Sequence, residues 1–305
     1  MQQDGPDAFF EGPMAESIAR DLAAVGSRVT MRDLAEISAS IGEPISTPYR
    51  DATVHVAGHL AAGPSSPRRW GYSEAKLNPS HDAPGVDAYR AYAESLLETY
   101  EWRLSHLGEG PQAPTNTSHV CAVDRDGNVV SLTQSIMSAF GSRIMLPDTG
   151  IIMNNGMMWF DPRPGNPNSV AAGRQPLCNM CPTIIEQADG SLTALGACGG
   201  RKIFPAVFQL ASFIIDYAMS IDAAVHCPRL DNSGTDMITL MDSMAPDVVA
   251  ALAEEFRKRA FAPMALHPTC SPCRNSQGGV PMATVKAAAS SRHPTPASPS
   301  RTEPG

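Results

Sequence analysis

TSHVCAVDRDGNVVSLTQS, residues 117–135, places two runs of alternating, β-favouring residues on either side of a DRDGN turn. A period of two sends successive side chains to opposite faces, and Asp126-Gly127 supplies the positive φ that a tight turn demands. The stretch predicts an antiparallel hairpin. Downstream, IIMNN (151–155) reads as a further strand, and TIIEQ (183–187) and LTALGA (192–197) flank the turn ADGS, so a run of antiparallel strands is expected. Helical spacing follows over Lys202–Met219 and Pro246–Arg259, with a shorter helix over Ile221–His226. Strands followed by helices describe an α+β layered domain rather than alternating βαβ units.

Upstream of the hairpin, Phe9, Met14, Ile18, Leu22 and Val25 recur at helical spacing, and a second helix is predicted over Met31–Ile41. Pro44–His59 reads as one extended strand. Residues 61–85, AAGPSSPRRWGYSEAKLNPSHDAPG, carry no period and are expected to be loop or poorly ordered. An amphipathic helix resumes over Asp87–Leu107. GEGPQAPTN (108–116) then acts as a linker, which sets a boundary between residues 1–116 and the β-rich segment 117–260. From 261 to 305 the sequence turns Pro/Ser-rich, and a disordered tail is expected there.

With 305 residues and 43% apolar composition the chain has enough material for one large core or two smaller ones. A net charge of -8 with 23 scattered basic residues offers no stripe to follow a phosphate backbone, so no nucleic-acid partner is expected. The opening MQQDGPDAFFEG lacks the basic and apolar regions of a signal peptide. Ile203–Met219 is too short for a bilayer and contains Pro205, Gln209, Ser212 and Asp216, so no membrane association is expected. Seven cysteines, an odd number in a chain of this size, favour reduced thiols and a cytoplasmic setting. Cys178-x-x-Cys181 and Cys270-x-x-Cys273 raise the idea of a zinc-bearing structural module, but the pairs lie about ninety residues apart. Compact zinc ribbons place such pairs about 15 to 20 residues apart. Neither a metal nor any other cofactor is expected.

The chemistry-bearing junction is Asn116-Thr117. A threonine freed there as a chain terminus would join a hydroxyl nucleophile to its own α-amine. An α-amine ordinarily titrates at about 7.7 to 8, which makes it a better base at neutral pH than lysine at about 10.4. Read from the residues alone, a Thr at a strand start is usually structural. His119 lies on the same strand face and offers a rival hydroxyl–histidine pair, although no acid with an evident claim to orient its ring stands nearby.

The hairpin, then FGSRIMLPDTGIIMNNGMMWFDPRPGNPNS (140–169), RQPLCNMCPTI (174–184) and GACGGRKI (196–203), resembles the small subunit of gamma-glutamyltranspeptidases in order and spacing. GPDAFFEGPMAESIARDL and EPISTPYR resemble the distal end of that family's large subunit. The resemblance implies the four-layer αββα sandwich of the N-terminal nucleophile hydrolases, self-cleavage before Thr117, and an acyl-enzyme on the freed Thr117. Ser135 takes the place of a supporting hydroxyl, and Gly199-Gly200 that of the backbone oxyanion donors. Cys178 and Asn179 stand where many relatives hold the α-carboxylate of the substrate, and Asn155 belongs to the same substrate-binding constellation. Trp159 aligns with the family's ammonium-binding Asp, which displaces that role to Asp161 or removes it.

The partners so implied are a small γ-glutamyl or related acyl donor and a water or amine acceptor, with the cleaved fragments held as a heterodimer in a zymogen-derived enzyme of glutathione metabolism. Only about 116 residues precede Thr117, against several hundred in the family, so the large-subunit part is expected to be incomplete. The alternative from another class is an inactive remnant or binding protein that keeps the sandwich.

Overall fold

In the computed structural model, residues 5–79, 81–108, 116–234, 237–256, 260–263, 269–270 and 273–274 are described. The chain opens with α1 (Gly12–Ala24) and the single-turn α2 (Met31–Ala35), which Thr30 and Asp33 start with a capping box. The single strand expected over 44–59 is instead a hairpin, β1 (Ile45–Tyr49) and β2 (Ala52–Val56), closed by a two-residue turn with Arg50 at φ 55°. Pro48 is tolerated because β1 lies at the edge of its sheet, where no ladder N–H is missed. The expected loop over 61–85 also needs correction, because Ser66–Lys76 forms α3. Pro67 occupies the first turn, where its missing N–H costs nothing, and burial of Trp70 supplies the stabilisation that composition did not reveal.

The long helix α4 (Val86–His106) leads to the central hairpin, β3 (Asn116–Val123) and β4 (Val129–Met137). Asp124 closes its turn by accepting the N–H groups of Asp126 and Asn128, and Gly127 takes φ 86°. IIMNN is not a strand; Ile152 makes an isolated bridge to Met145. Then follow β5 (Thr183–Glu186), β6 (Leu192–Leu195), β7 (Ala197–Cys198), α5 (Ile203–Asp216), α6 (Ile221–His226), β8 (Leu230–Asp231), β9 (Met237–Leu240) and α7 (Pro246–Glu255). Three short strands lie beyond residue 259: β10 (Ala260–Pro263), β11 (Thr269–Cys270) and β12 (Cys273–Arg274). These segments pair with β9, β7 and β6, and the disorder expected over 275–305 lies outside the described residues. Such pairing is a tertiary effect that local composition does not encode.

Burial parity sets the layers. In the sheet β1-β2-β5-β6-β12, Ala52, Val54, Val56, Ile185 and Leu195 face helices α3, α4 and α5. Ile184 and Ala194 face the other way and meet Cys121 of the β3–β4 hairpin. Ser131 stitches these layers, donating to the Leu195 carbonyl at 2.8 Å and accepting the Thr183 N–H at 3.2 Å. The order is helices, sheet, then hairpin. On the hairpin's outward face Val120, Val130, Leu132 and Ile136 are 40–52% exposed, while the inward face carries Thr117, His119, Ser131, Thr133 and Ser135. Among the described residues no helix is long and apolar enough to cross a membrane.

The helical side is aromatic. Trp70 lies 4.4 Å from the Tyr49 ring and 4.7 Å from that of Phe208, and its indole N–H donates to Ser66 at 2.9 Å. Arg69, fully buried beside it, finds no hydrogen-bond acceptor and lays its guanidinium 3.5 Å from the Phe208 ring centroid. Trp70→Ala should destabilise the chain by about 3–5 kcal/mol, read as a lowered urea midpoint, with a loss below about 1 kcal/mol arguing against this packing.

Candidate active site

Hairpin register brings the first two candidates together. With Val123 opposite Val129, counting back sets Thr117 against Ser135, and Thr117 Oγ1 donates to Ser135 Oγ at 3.5 Å. The ladder slips between Asn116 and Thr117, so the junction singled out in the sequence is also where the pairing turns irregular. On the partner strand Ser135 Oγ accepts the Met137 N–H at 2.9 Å, and Met137 takes φ 77°, an unusual conformation for a residue with a side chain.

Asn155 belongs to the same end of the hairpin. Its Oδ1 accepts the Ser138 N–H at 2.9 Å and its Nδ2 donates to Ser138 Oγ at 2.8 Å. The amide thus fastens the turn over 156–159 to the end of β4. Strand β3 packs beside β7, which runs on into Gly199-Gly200. Gly199 has φ 139° and Gly200 φ 61°, values that L side chains adopt only under strain, and α5 begins directly after the single turn Gly200–Lys202. Consecutive N–H groups in such a turn form a concave anion-binding surface, and the start of a helix adds its positive end.

Cys178 and Asn179 are held by Arg103, a buried cation on α4 that the sequence analysis did not single out. Its guanidinium donates to the Cys178 carbonyl at 2.9 Å, to Asn179 Oδ1 at 3.2 Å and to Ser65 Oγ at 3.2 Å. The signal was present: Arg103 continues the stripe Tyr92, Leu96 and Tyr100, and a charge on a buried stripe requires partners. Asp161 is sealed. Its carboxylate is fully buried and accepts from Arg163 Nε and Nη2, the Arg163 N–H and Asn166 Nδ2, and Arg163 holds it well below the usual carboxylate range. It closes its own loop rather than opening to a ligand.

His119 packs its ring against Gly196, where an added Cβ would fall 2.0 Å from the imidazole. Nδ1 meets Thr133 Oγ1 at 2.7 Å and Nε2 meets Cys121 Sγ at 3.1 Å, so its hydrogen-bond partners are Thr133 and Cys121. Burial lowers its pKa to about 4. The Cys181 thiol, buried, is pushed up to about 11. Among the described residues no group of three His, Cys, Asp or Glu side chains could hold a metal; the side chain of Cys270 lies outside them.

The family model for gamma-glutamyltranspeptidase matches residues 1–66 and 66–263. The chain belongs to the gamma-glutamyltranspeptidase family. Among curated proteins, the chain is 26% identical over 311 residues to the glutathione hydrolase proenzyme of Escherichia coli (strain K12), covering 85% of the chain and 54% of that protein. It is 29% identical over 297 residues to the Acylase ACY 1 proenzyme of Pseudomonas sp. (strain SE83), covering 85% of the chain and 53% of the relative. The chain therefore spans about half the length of the curated relatives it matches. Cephalosporin acylase from Bacillus halodurans superposes with a TM-score of 0.75 at 21% identity, over 88% of this chain and 56% of that one, a likeness of fold. The T380A mutant of Helicobacter pylori gamma-glutamyltranspeptidase gives a TM-score of 0.50 at 28% identity, over 55% of this chain and 97% of that one. This member of the family therefore has the mixed α and β fold of the N-terminal nucleophile hydrolases.

The buried imidazole generates a pH prediction. A base whose folded pKa is about 4 against an ordinary 6.5 leaves the unfolded chain binding the extra proton between those values, so stability is retained above 6.5 and lost as pH falls towards 4. Relative to His119→Gln, wild type should therefore weaken over that window and not above it. Denaturant midpoints at pH 7.5, 5.5 and 4.5 test this, and a difference independent of pH would refute it.

Proposed function

We propose that this chain is an amide-cleaving acyl-transfer enzyme of the gamma-glutamyltransferase or hydrolase kind that cuts itself between Asn116 and Thr117 and works through an ester on Thr117. The observation that carries the proposal is the Thr117–Ser135 contact at the irregular end of the ladder. In maturation, Thr117 Oγ1 attacks the Asn116 carbonyl, the peptide C–N bond breaks, and the acyl group passes to oxygen as an ester. Water then hydrolyses the ester, leaving a carboxylate on Asn116 and a free amine on Thr117. In turnover that amine takes the hydroxyl proton as Oγ1 attacks a donor amide, the amine product leaves, and water or an acceptor amine releases the acyl group. Gly199 and Gly200 supply backbone N–H groups to the tetrahedral oxygen, a contribution of about 3–4 kcal/mol per donor where it has been tested by mutation.

The donor is a γ-glutamyl or related acyl compound, its carboxylate end assigned to Cys178 and Asn179. The cleaved pieces stay together as a heterodimer, because β2 and β5, neighbours in one sheet, lie on opposite sides of the cut. A second reading, an inactive remnant or binding protein, draws on the exposed apolar face of the hairpin.

Intact mass spectrometry separates the two readings. The proposal expects pieces corresponding to residues 1–116 and 117–305 that co-elute until denatured; a folded chain that stays whole for days at neutral pH supports the remnant. Thr117→Ala should leave an uncut, inactive chain, whereas Thr117→Ser should still mature and turn over. His119→Ala should retain more activity than Thr117→Ala. A loss of about 100-fold or more, the contribution of a general base, with the Thr117 amine dispensable, would transfer the role to the histidine.

A further inference from the structure

Two cysteines from opposite layers meet between the sheet and the hairpin. In the β6–β12 ladder Cys273 lies directly opposite Ala194. Residues paired in this way send their side chains to the same face, and Ala194 faces the hairpin, so Cys273 faces it too. Cys121 reaches the same place from the other layer, since β12 packs beside β3. Cys121, Ala194 and Cys273 form one buried cluster, and the Cys121 thiol hydrogen bonds to Cys273. That bond, together with burial, holds the Cys121 thiol above its ordinary value, while accepting it lowers the Cys273 thiol.

The surroundings suit thiol exchange. A thiolate is the attacking species, and the hydrogen bond from Cys121 favours that form at Cys273. Cys121 Sγ also lies 3.1 Å from Nε2 of His119, an imidazole that burial keeps neutral at neutral pH and therefore able to take a proton. Cys273 belongs to a two-residue strand at the edge of the five-stranded sheet. A piece so short and so peripheral opens at low cost in free energy, which gives a small reagent a route to the sulfurs.

We propose that Cys121 and Cys273 are a redox pair that a low-molecular-weight disulfide converts into a cross-link between β3, the strand that carries Thr117, and the edge strand β12. The Cys273 thiolate attacks one sulfur of the reagent, whose S–S bond breaks to release a thiolate and leave a mixed disulfide. Cys121 then gives its proton to His119 Nε2 and attacks the Cys273 sulfur, displacing the second thiolate. The two departing thiolates take up the two protons lost by the cysteines, so two protein thiols are oxidised and one small disulfide is reduced to two thiols. The bond closes a long loop, which restricts the unfolded chain and fastens the hairpin to the sheet. Both cysteines follow residue 116, so the bridge neither requires nor reports self-cleavage, and it stands apart from the acyl-enzyme reading of Thr117.

Hydroxyethyl disulfide, small and uncharged, is the probe. After incubation of the full chain with it near neutral pH and an acid quench, digestion without reductant should yield the Cys121 peptide joined to the Cys273 peptide, and dithiothreitol should part them. The treated chain should unfold at a temperature higher by about 5 °C or more than the reduced chain. Cys273→Ser, a change at the sheet edge, should give no joined peptide at Cys121 and no such rise. Free thiols at both positions, a mixed disulfide that never resolves, a bridge to a third cysteine, or a Cys121–Cys273 bridge without a rise in the unfolding temperature would each overturn the proposal. The wild-type peptide map and melting curves decide the matter should Cys273→Ser fold poorly.

Discussion

The pairing of β2 with β5, Val56 opposite Thr183 through Thr53 opposite Glu186, is the constraint on which the remaining arrangement depends. Strand β2 belongs to the segment before the Asn116–Thr117 junction and β5 to the segment after it. Their ladder forces the two into one sheet, and helices from both segments, α3 and α4 from the first and α5 from the second, cover the same face. Tyr49 and Arg50, at the β1–β2 turn, converge on Asp216 at the end of α5 at 2.8 to 3.1 Å, adding a polar fastening between the same segments. Neither segment completes a core alone.

Within that frame, placement of the site is a matter of where buried polar groups find partners. Arg103 must satisfy its guanidinium in the interior, and Ser65, Cys178 and Asn179 are among its acceptors. A cation chosen for no chemistry of its own thereby fixes the loop assigned to the donor carboxylate. Asp161 and Asn155 show the opposite outcome, with side chains of substrate-binding type drawn into holding their own loops. Such clamps hold the loops near the end of β4 in place.

Much of this was legible before any coordinates. A turn over 124–128 with alternating arms predicts the hairpin and puts Thr117 and His119 on one face, whereas Ser135 opposite Thr117 is what the family resemblance implies, because loops of two and three residues differ in register by one. Helices α4 and α6 and the pair β5–β6 were legible for the same reason: their periodicities are local. Helix α3 was not, since Pro64, Pro67 and Gly71 mask a helix whose stability comes from burying Trp70 and Arg69. The strands after residue 259 escaped notice because they exist only as additions to neighbours already folded. The sealing of Asp161 depends on Arg163 and Asn166 folding back within its own loop, a geometry that the presence of an Asp in a motif does not specify.

The hairpin's outward face, with Val120, Val130, Leu132 and Ile136 turned to solvent, has a bearing on how these 305 residues behave in bulk solution. A net charge of -8 repels neighbouring molecules at long range, but added salt shortens that repulsion to about 8 Å near physiological ionic strength. Sulfate does more than screen, because its exclusion from protein surfaces strengthens contact between apolar groups. Ionic strength therefore acts twice on this chain, first by muting its charge and then by favouring contact between exposed apolar side chains, those of the hairpin face among them.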